Sequence, residues 1–213
     1  MRPGSPRAAT QYDLTLGAPT KRDGPVHRPC TESRRHRHSP QGPAIGWLGT
    51  FPIRFPSDAD PGDDGWHIDT SFPPPQGEVS DFFQWRANVR SKGRALLMLF
   101  LFSDVAEDEA PTRVRLGSHK TMARRLAPHG DEGLSLGQLA AEGFDDSADC
   151  PVALATGEAG DVWLCHPFLV HAAQGHLGKR VKFMAQPPLM PKRRFDLEMD
   201  QSPMLEAIRR GLR

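Results

Sequence analysis

The sequence predicts a mainly β domain of the barrel or sandwich kind, on three observations. From Gly46 onward, short apolar stretches alternate with turn residues; about seven of those stretches read as strands; and helical periodicity is confined to one insertion and the C-terminal tail. That order does not fit alternating βα units, which would intersperse helices between all the strands.

Residues 51–55 read as a strand that ends at Pro56, followed by a turn-rich acidic loop over 58–65 and a short strand over 66–70. A Pro/Gly/aromatic connection over 73–93 leads to a buried strand at 95–102, and 113–116 forms another strand closed by Gly117-Ser118. Helices are expected at 119–127 and 134–142, the second with Leu134, Leu136, Leu139 and Ala140 at helical spacing. Strands recur at 152–155, 161–165, 168–172 and 180–186. Ser202-Pro203 supplies an N-cap with proline at the first helical position, so a C-terminal helix runs to about Arg210.

Residues 1–45 are different in kind. They are rich in Pro, Gly, Arg and His, and hold eight basic and three acidic residues against nineteen and twenty-three in 46–213. Lacking apolar periodicity, this stretch is expected to be a disordered basic tail on a mildly acidic domain spanning 46–213. The near-balance of charge over all 213 residues calls for neither nucleic acid nor an anionic membrane as partner. Three scattered cysteines form no disulfide framework or C-x-x-C motif, which fits a reducing cytoplasm. The longest apolar run, Ala95 to Phe102, is less than half of the roughly 20 residues a membrane helix needs.

The segment that carries chemistry is Gly65-Trp66-His67-Ile68-Asp69. In a strand, residues i and i+2 share a face, so the His67 imidazole and the Asp69 carboxylate point together into the barrel while Ile68 points away. An open iron(II) site needs two histidines and one carboxylate on one face of an octahedron, so a second histidine must arrive from a distant strand. A remote segment offers one: Gly160-Asp161, an apolar strand, His166-Pro167, and an apolar stretch ending in His171, with Arg180 nine residues on.

That arrangement, together with Asp104-Val105, Glu107-Asp108 and Gly117-Ser118-His119 in the centre, resembles the phytanoyl-CoA dioxygenase family over about residues 48–190. The resemblance implies a double-stranded β-helix, of the jelly-roll or cupin-like type, with a short helical insertion and a C-terminal helix. It implies iron(II), 2-oxoglutarate and O2 as cofactor and co-substrates, with His67, Asp69 and His171 as metal ligands. Arg180 matches the residue that grips the far carboxylate of 2-oxoglutarate through a planar, two-point contact, and is expected to be buried. Lys179 and Lys182 are read as solvent-facing. Of the neighbouring histidines, His166 is restrained by Pro167 and sits too far from Arg180 for a short hairpin, and His176 falls in the hairpin loop. Trp66, Phe72, Phe82, Phe83 and Trp85 either line a substrate pocket or pack in the core.

The implied reaction is oxidative decarboxylation of 2-oxoglutarate to succinate and carbon dioxide, coupled to hydroxylation of a small organic substrate. Related halogenases lack a carboxylate at the Asp69 position so that chloride can bind; an aspartate there implies hydroxylation. Two rivals stand beside this reading: a cupin-type metalloenzyme that does not use 2-oxoglutarate, and a truncated or degenerate member that binds metal without turnover. Family members carry further elements ahead of the strand at 51–55. Their replacement by the tail is expected to leave a sheet edge uncovered and to favour self-association.

Overall fold

The computed structural model describes residues 51–213, so the expected tail over 1–45 lies outside the described residues. Two antiparallel sheets face one another. The first has the order β1-β9-β3-β7, built from β1 (Ile53–Arg54), β3 (Leu97–Leu101), β7 (Val162–Cys165) and β9 (Lys182–Ala185). The second has the order β6-β4-β8, from β4 (Arg113–Arg115), β6 (Val152–Leu154) and β8 (His171–Ala172). A small pair joins β2 (Arg86–Ala87) to β5 (Leu134–Ser135). Neighbours in each sheet are distant in sequence, which is the crossing-over connectivity of a jelly roll.

Alternation along the strands accounts for the core between the sheets. In β3, Leu97, Leu99 and Leu101 are buried while Met98 and Phe100 are partly covered on the other face. The inward leucines pack with Cys165 and Met184 of their own sheet, with Val114 of the facing sheet, and with Leu169. On the outer face of the first sheet, Phe51, Ile53, Phe55, Phe102 and Phe183 are exposed.

Three helices close one side: α1 (Ser118–Leu126), α2 (Leu136–Glu142) and α3 (Pro203–Leu212). The helix expected over 134–142 starts two residues late, because Leu134 and Ser135 pair with Ala87 and Arg86. Ser135 then serves as N-cap of a full capping box with Gln138. Ser202 caps α3 by accepting from the Leu205 N–H, at the position the sequence predicts. Helices α1 and α3 approach closely at Gly211, where a Cβ would lie 3.0 Å from the Lys120 backbone. Leu205 and Ile208 of α3 are fully buried against Met122 and Leu126 of α1. Truncating Ile208 to alanine in this packed layer is expected to cost about 2–5 kcal/mol, read as a lowered midpoint in urea unfolding.

Two expected strands are shorter than their apolar patterns. Of 66–70, only His67 makes a ladder bridge, and of 168–172, only His171 and Ala172 are strand. Phe168, Leu169 and Val170 are apolar because they are buried in a turn-like segment, Phe168 and Val170 against the helices and Leu169 between the sheets, so their hydrophobicity reports burial rather than extension.

Candidate metal centre

His67 and His171 meet through the backbone. The His67 N–H donates to the His171 carbonyl at 2.9 Å, and the His171 N–H returns the bond at 2.9 Å. Such a doubly bonded antiparallel pair sets both side chains on one face, and their ring centroids lie 4.4 Å apart. Asp69, two residues on, joins them, and one ligand atom from each of the three side chains falls within 4.8 Å of the others. The segment ahead of His171 is held by Ser118, whose hydroxyl accepts from the Val170 N–H at 2.9 Å and donates to the Arg115 carbonyl at 2.7 Å. Ser118 thus ties the end of β4 to the chain that delivers His171.

Both imidazoles are fixed in one tautomer by backbone carbonyls, which can only accept. His67 Nδ1–H donates to Gly65 O at 2.8 Å, and His171 Nδ1–H donates to Leu169 O at 2.9 Å. Each therefore keeps an Nε2 lone pair, and that of His171 is buried without a hydrogen-bond partner. Burial pushes the His171 imidazole down to about 4, so it is neutral at pH 7. For Asp69, burial acts upward but is outweighed by His171, Arg94, His67 and the Gln186 amide, leaving the carboxyl below its ordinary value. Its Oδ2 receives Gln186 Nε2 at 2.9 Å and lies 2.9 Å from Arg94 Nη1, while Oδ1 faces His171 Nε2 at 3.9 Å. Two imidazole nitrogens and one carboxylate oxygen converging on a point are a donor set suited to a divalent first-row metal, and their outer partners already orient them.

Among the described residues, His166, His119 and His176 are engaged elsewhere. His166 is buried, its Nδ1 accepting from the Phe168 N–H and its Nε2–H donating to the Met204 carbonyl, so neither nitrogen is available. Burial holds its imidazole down to about 3. His119 packs beside it with ring centroids 4.9 Å apart, and His176 Nε2–H donates to the Arg180 carbonyl at 2.7 Å.

Two expectations about cations need correction. Arg180 is not buried: its side chain is 56% exposed, and its guanidinium is occupied by Glu109, at 2.7 and 2.8 Å, and by Asp104 at 3.1 Å. The bonds from Arg180 hold the Glu109 carboxyl down to about 2. Lys182, expected at the surface, is only 4% exposed. The difference is one of strand phase: with Met184 inward and Phe183 outward on β9, the residue two before Met184 must also point inward. Its ammonium donates to the Ala110 carbonyl, and burial pulls its pKa down to about 8.

A cavity of about 500 Å³ is lined by His67 and Asp69, with His171 buried behind them. Phe82 and Trp85 line it, as does Arg94. Trp66 instead lies between the guanidinium groups of Arg113 and Arg115, Phe72 is buried, and Phe83 faces solvent. The sequence offers Arg94, with Arg86, Arg90 and Lys92 of the loop over 73–94, as a basic residue that either favours an acidic substrate or forms a solvated face, but not as a partner of Asp69, and Gln186 goes unflagged. Arg94 looked like the polar boundary of an apolar strand; Gln186, four residues beyond Lys182 on the same strand face, had a signal in the period of two.

The model of the phytanoyl-CoA dioxygenase family (PhyH) matches residues 6–184. The chain belongs to the phytanoyl-CoA dioxygenase family. A similar solved structure is the non-heme alpha ketoglutarate dependent carbocyclase SnoK from nogalamycin biosynthesis, with 19% identity and a TM-score of 0.45. The match covers 66% of this chain and 47% of that one, so the chain spans about half the length of SnoK. The search of curated proteins finds no match. Among the described residues, no helix is long and apolar enough to cross a membrane.

Proposed function

We propose that this member of the phytanoyl-CoA dioxygenase family is an iron(II)- and 2-oxoglutarate-dependent hydroxylase of a small organic molecule, with His67, Asp69 and His171 as metal ligands. The observation that carries the reading is the convergence of two Nε2 lone pairs and one ionised carboxylate oxygen beside an open cavity. Iron(II), when bound, supplies oxygen activation coupled to decarboxylation of 2-oxoglutarate. The chain's own work is orientation. Gly65 and Leu169 carbonyls hold the imidazoles, Arg94 and Gln186 engage Oδ2 of Asp69 and leave Oδ1 for the metal, and Phe82 and Trp85 give the cavity an apolar wall.

For the far carboxylate of 2-oxoglutarate, Arg180 would first have to leave Glu109 and Asp104, whereas Lys182 is an interior cation without a carboxylate in hydrogen-bond contact. Lys182 and Gln186 share a strand face about 13 Å apart along the chain, and Gln186 touches Asp69. We therefore assign the anchor to Lys182. Self-association through the outer face that bears Phe51, Ile53, Phe55 and Phe183 is part of the same proposal, as is a cytoplasmic setting.

Anaerobic addition of iron(II) and 2-oxoglutarate is expected to give the visible absorption band of a metal–keto-acid chelate, and admission of O2 to release succinate. A band without succinate in any substrate screen would favour the degenerate member, and metal binding without the band would favour a cupin-type enzyme.

A further inference from the structure

The cavity beside the three converging side chains has a mixed character that narrows what it takes. Its walls include Phe82, Trp85, Leu136, Pro188 and Met190, and Arg94 is the one cation among the described lining residues. The Arg94 side chain is only 13% exposed, and neither its Nε nor its Nη1 makes a hydrogen bond among the described residues, although Nη1 lies 2.9 Å from Asp69 Oδ2. A guanidinium with donors left over inside an apolar cavity is costly unless an anion completes it.

The loop that presents Arg94 is tightly built. Ser91 sits at φ 49° and its hydroxyl donates to the Arg94 carbonyl at 2.5 Å; the Lys92 N–H donates to Asn88 Oδ1 at 3.0 Å; and Asn88 is anchored to the Asp131 carbonyl at 2.9 Å. Gly93 has φ 82°, and a Cβ there would come within 2.5 Å of the Ser71 carbonyl, so only glycine fits. Such bracing fixes where the guanidinium points before any ligand arrives, which lowers the ordering cost of binding.

Charge balance points the same way, and here the argument rests on the proposed function. A divalent metal, the Asp69 carboxylate and the interior cations Arg94 and Lys182 leave one positive charge over when a dianionic co-substrate enters. We propose that Arg94 receives a carboxylate of the substrate, and that the substrate is an amphipathic monocarboxylic acid whose apolar body lies against Phe82, Trp85 and Leu136. Asp69 lies beside one terminal nitrogen of the guanidinium, and the incoming carboxylate takes the part of the fork that lines the cavity.

The test compares an acid with an amide of the same shape, trans-cinnamate and cinnamamide, by titration calorimetry on the full chain loaded with manganese(II) and 2-oxoglutarate. The wild type is expected to prefer the acid by roughly tenfold or more, as for a charge-assisted contact. Arg94→Gln is expected to erase that preference while the amide binds as before; if the variant does not fold, Arg94→Lys is read instead and should show a reduced preference. Manganese and 2-oxoglutarate binding, measured first, report separately on the proposed function. Should they fail, the acid-to-amide ratio on the metal-free chain still decides the role of Arg94. Equal binding of acid and amide by the wild type, no binding of either, or a preference that persists in Arg94→Gln overturns the proposal. So does a loss of 2-oxoglutarate affinity alone, which would give Arg94 to the co-substrate.

Discussion

His67→Ala or His171→Ala is expected to abolish stoichiometric iron(II) binding, because two remaining protein ligands hold a labile divalent metal poorly against water. The Nδ1–H groups of both rings are spent on the Gly65 and Leu169 carbonyls, which leaves the Nε2 atoms for the metal, and His171 Nε2 is buried without a partner. His176→Ala, which removes a ring bonded to the Arg180 carbonyl, should leave the stoichiometry at one. His166→Ala opens a cavity between the barrel and α3, so it should lower the melting temperature yet leave metal binding in the folded fraction. Equilibrium dialysis with anaerobic iron checks all four. Retention of iron by His171→Ala with its loss in His166→Ala would reverse the ligand assignment.

Lys182→Met is expected to change two quantities in opposite directions. Affinity for 2-oxoglutarate on the iron-loaded protein should fall on the order of tenfold to a hundredfold, the size of a lost hydrogen bond to a charged group. Stability without 2-oxoglutarate should rise, since a buried ammonium that bonds the Ala110 carbonyl and feels Arg54 and Asp63 with opposite signs is replaced by a thioether of similar length. The sign of the pH dependence follows from the lowered pKa. The folded chain releases the Lys182 proton near pH 8 and the unfolded chain nearer 10.5, so between those values the unfolded state holds more protons and stability rises with pH. Below pH 8 the cost of the buried charge is present in full. Binding of 2-oxoglutarate should therefore weaken as pH rises through 8, and Lys182→Met should remove that dependence. If Arg180→Ala loses the affinity and Lys182→Met keeps it, the anchor is Arg180, released from Glu109 and Asp104 on binding.

The mainly β fold class and the spacing of the proposed ligands His67 and Asp69 were legible in the chain, whereas His171 was singled out through the family resemblance. Both are local patterns: the strand-and-turn texture after Gly46, and the i, i+2 pairing of His67 with Asp69, need only the period of an extended chain. The C-terminal helix was legible for the same reason, since Ser202 and Pro203 act within one turn. Tertiary packing alone settles which groups face inward and which partners they meet there. Arg180 and Lys182 both follow His171 within a few residues, and nothing local says that Glu109 and Asp104, more than 70 positions upstream, will claim the arginine. The inward phase of β9 is likewise set by Met184 packing into the core between the sheets, which turns Lys182 inside with it. Arg94 and Gln186 became partners of Asp69 only when folding brought them to the same oxygen, because strand periodicity gives the face a residue points to, whereas a contact spanning 25 or 117 positions is a property of packing.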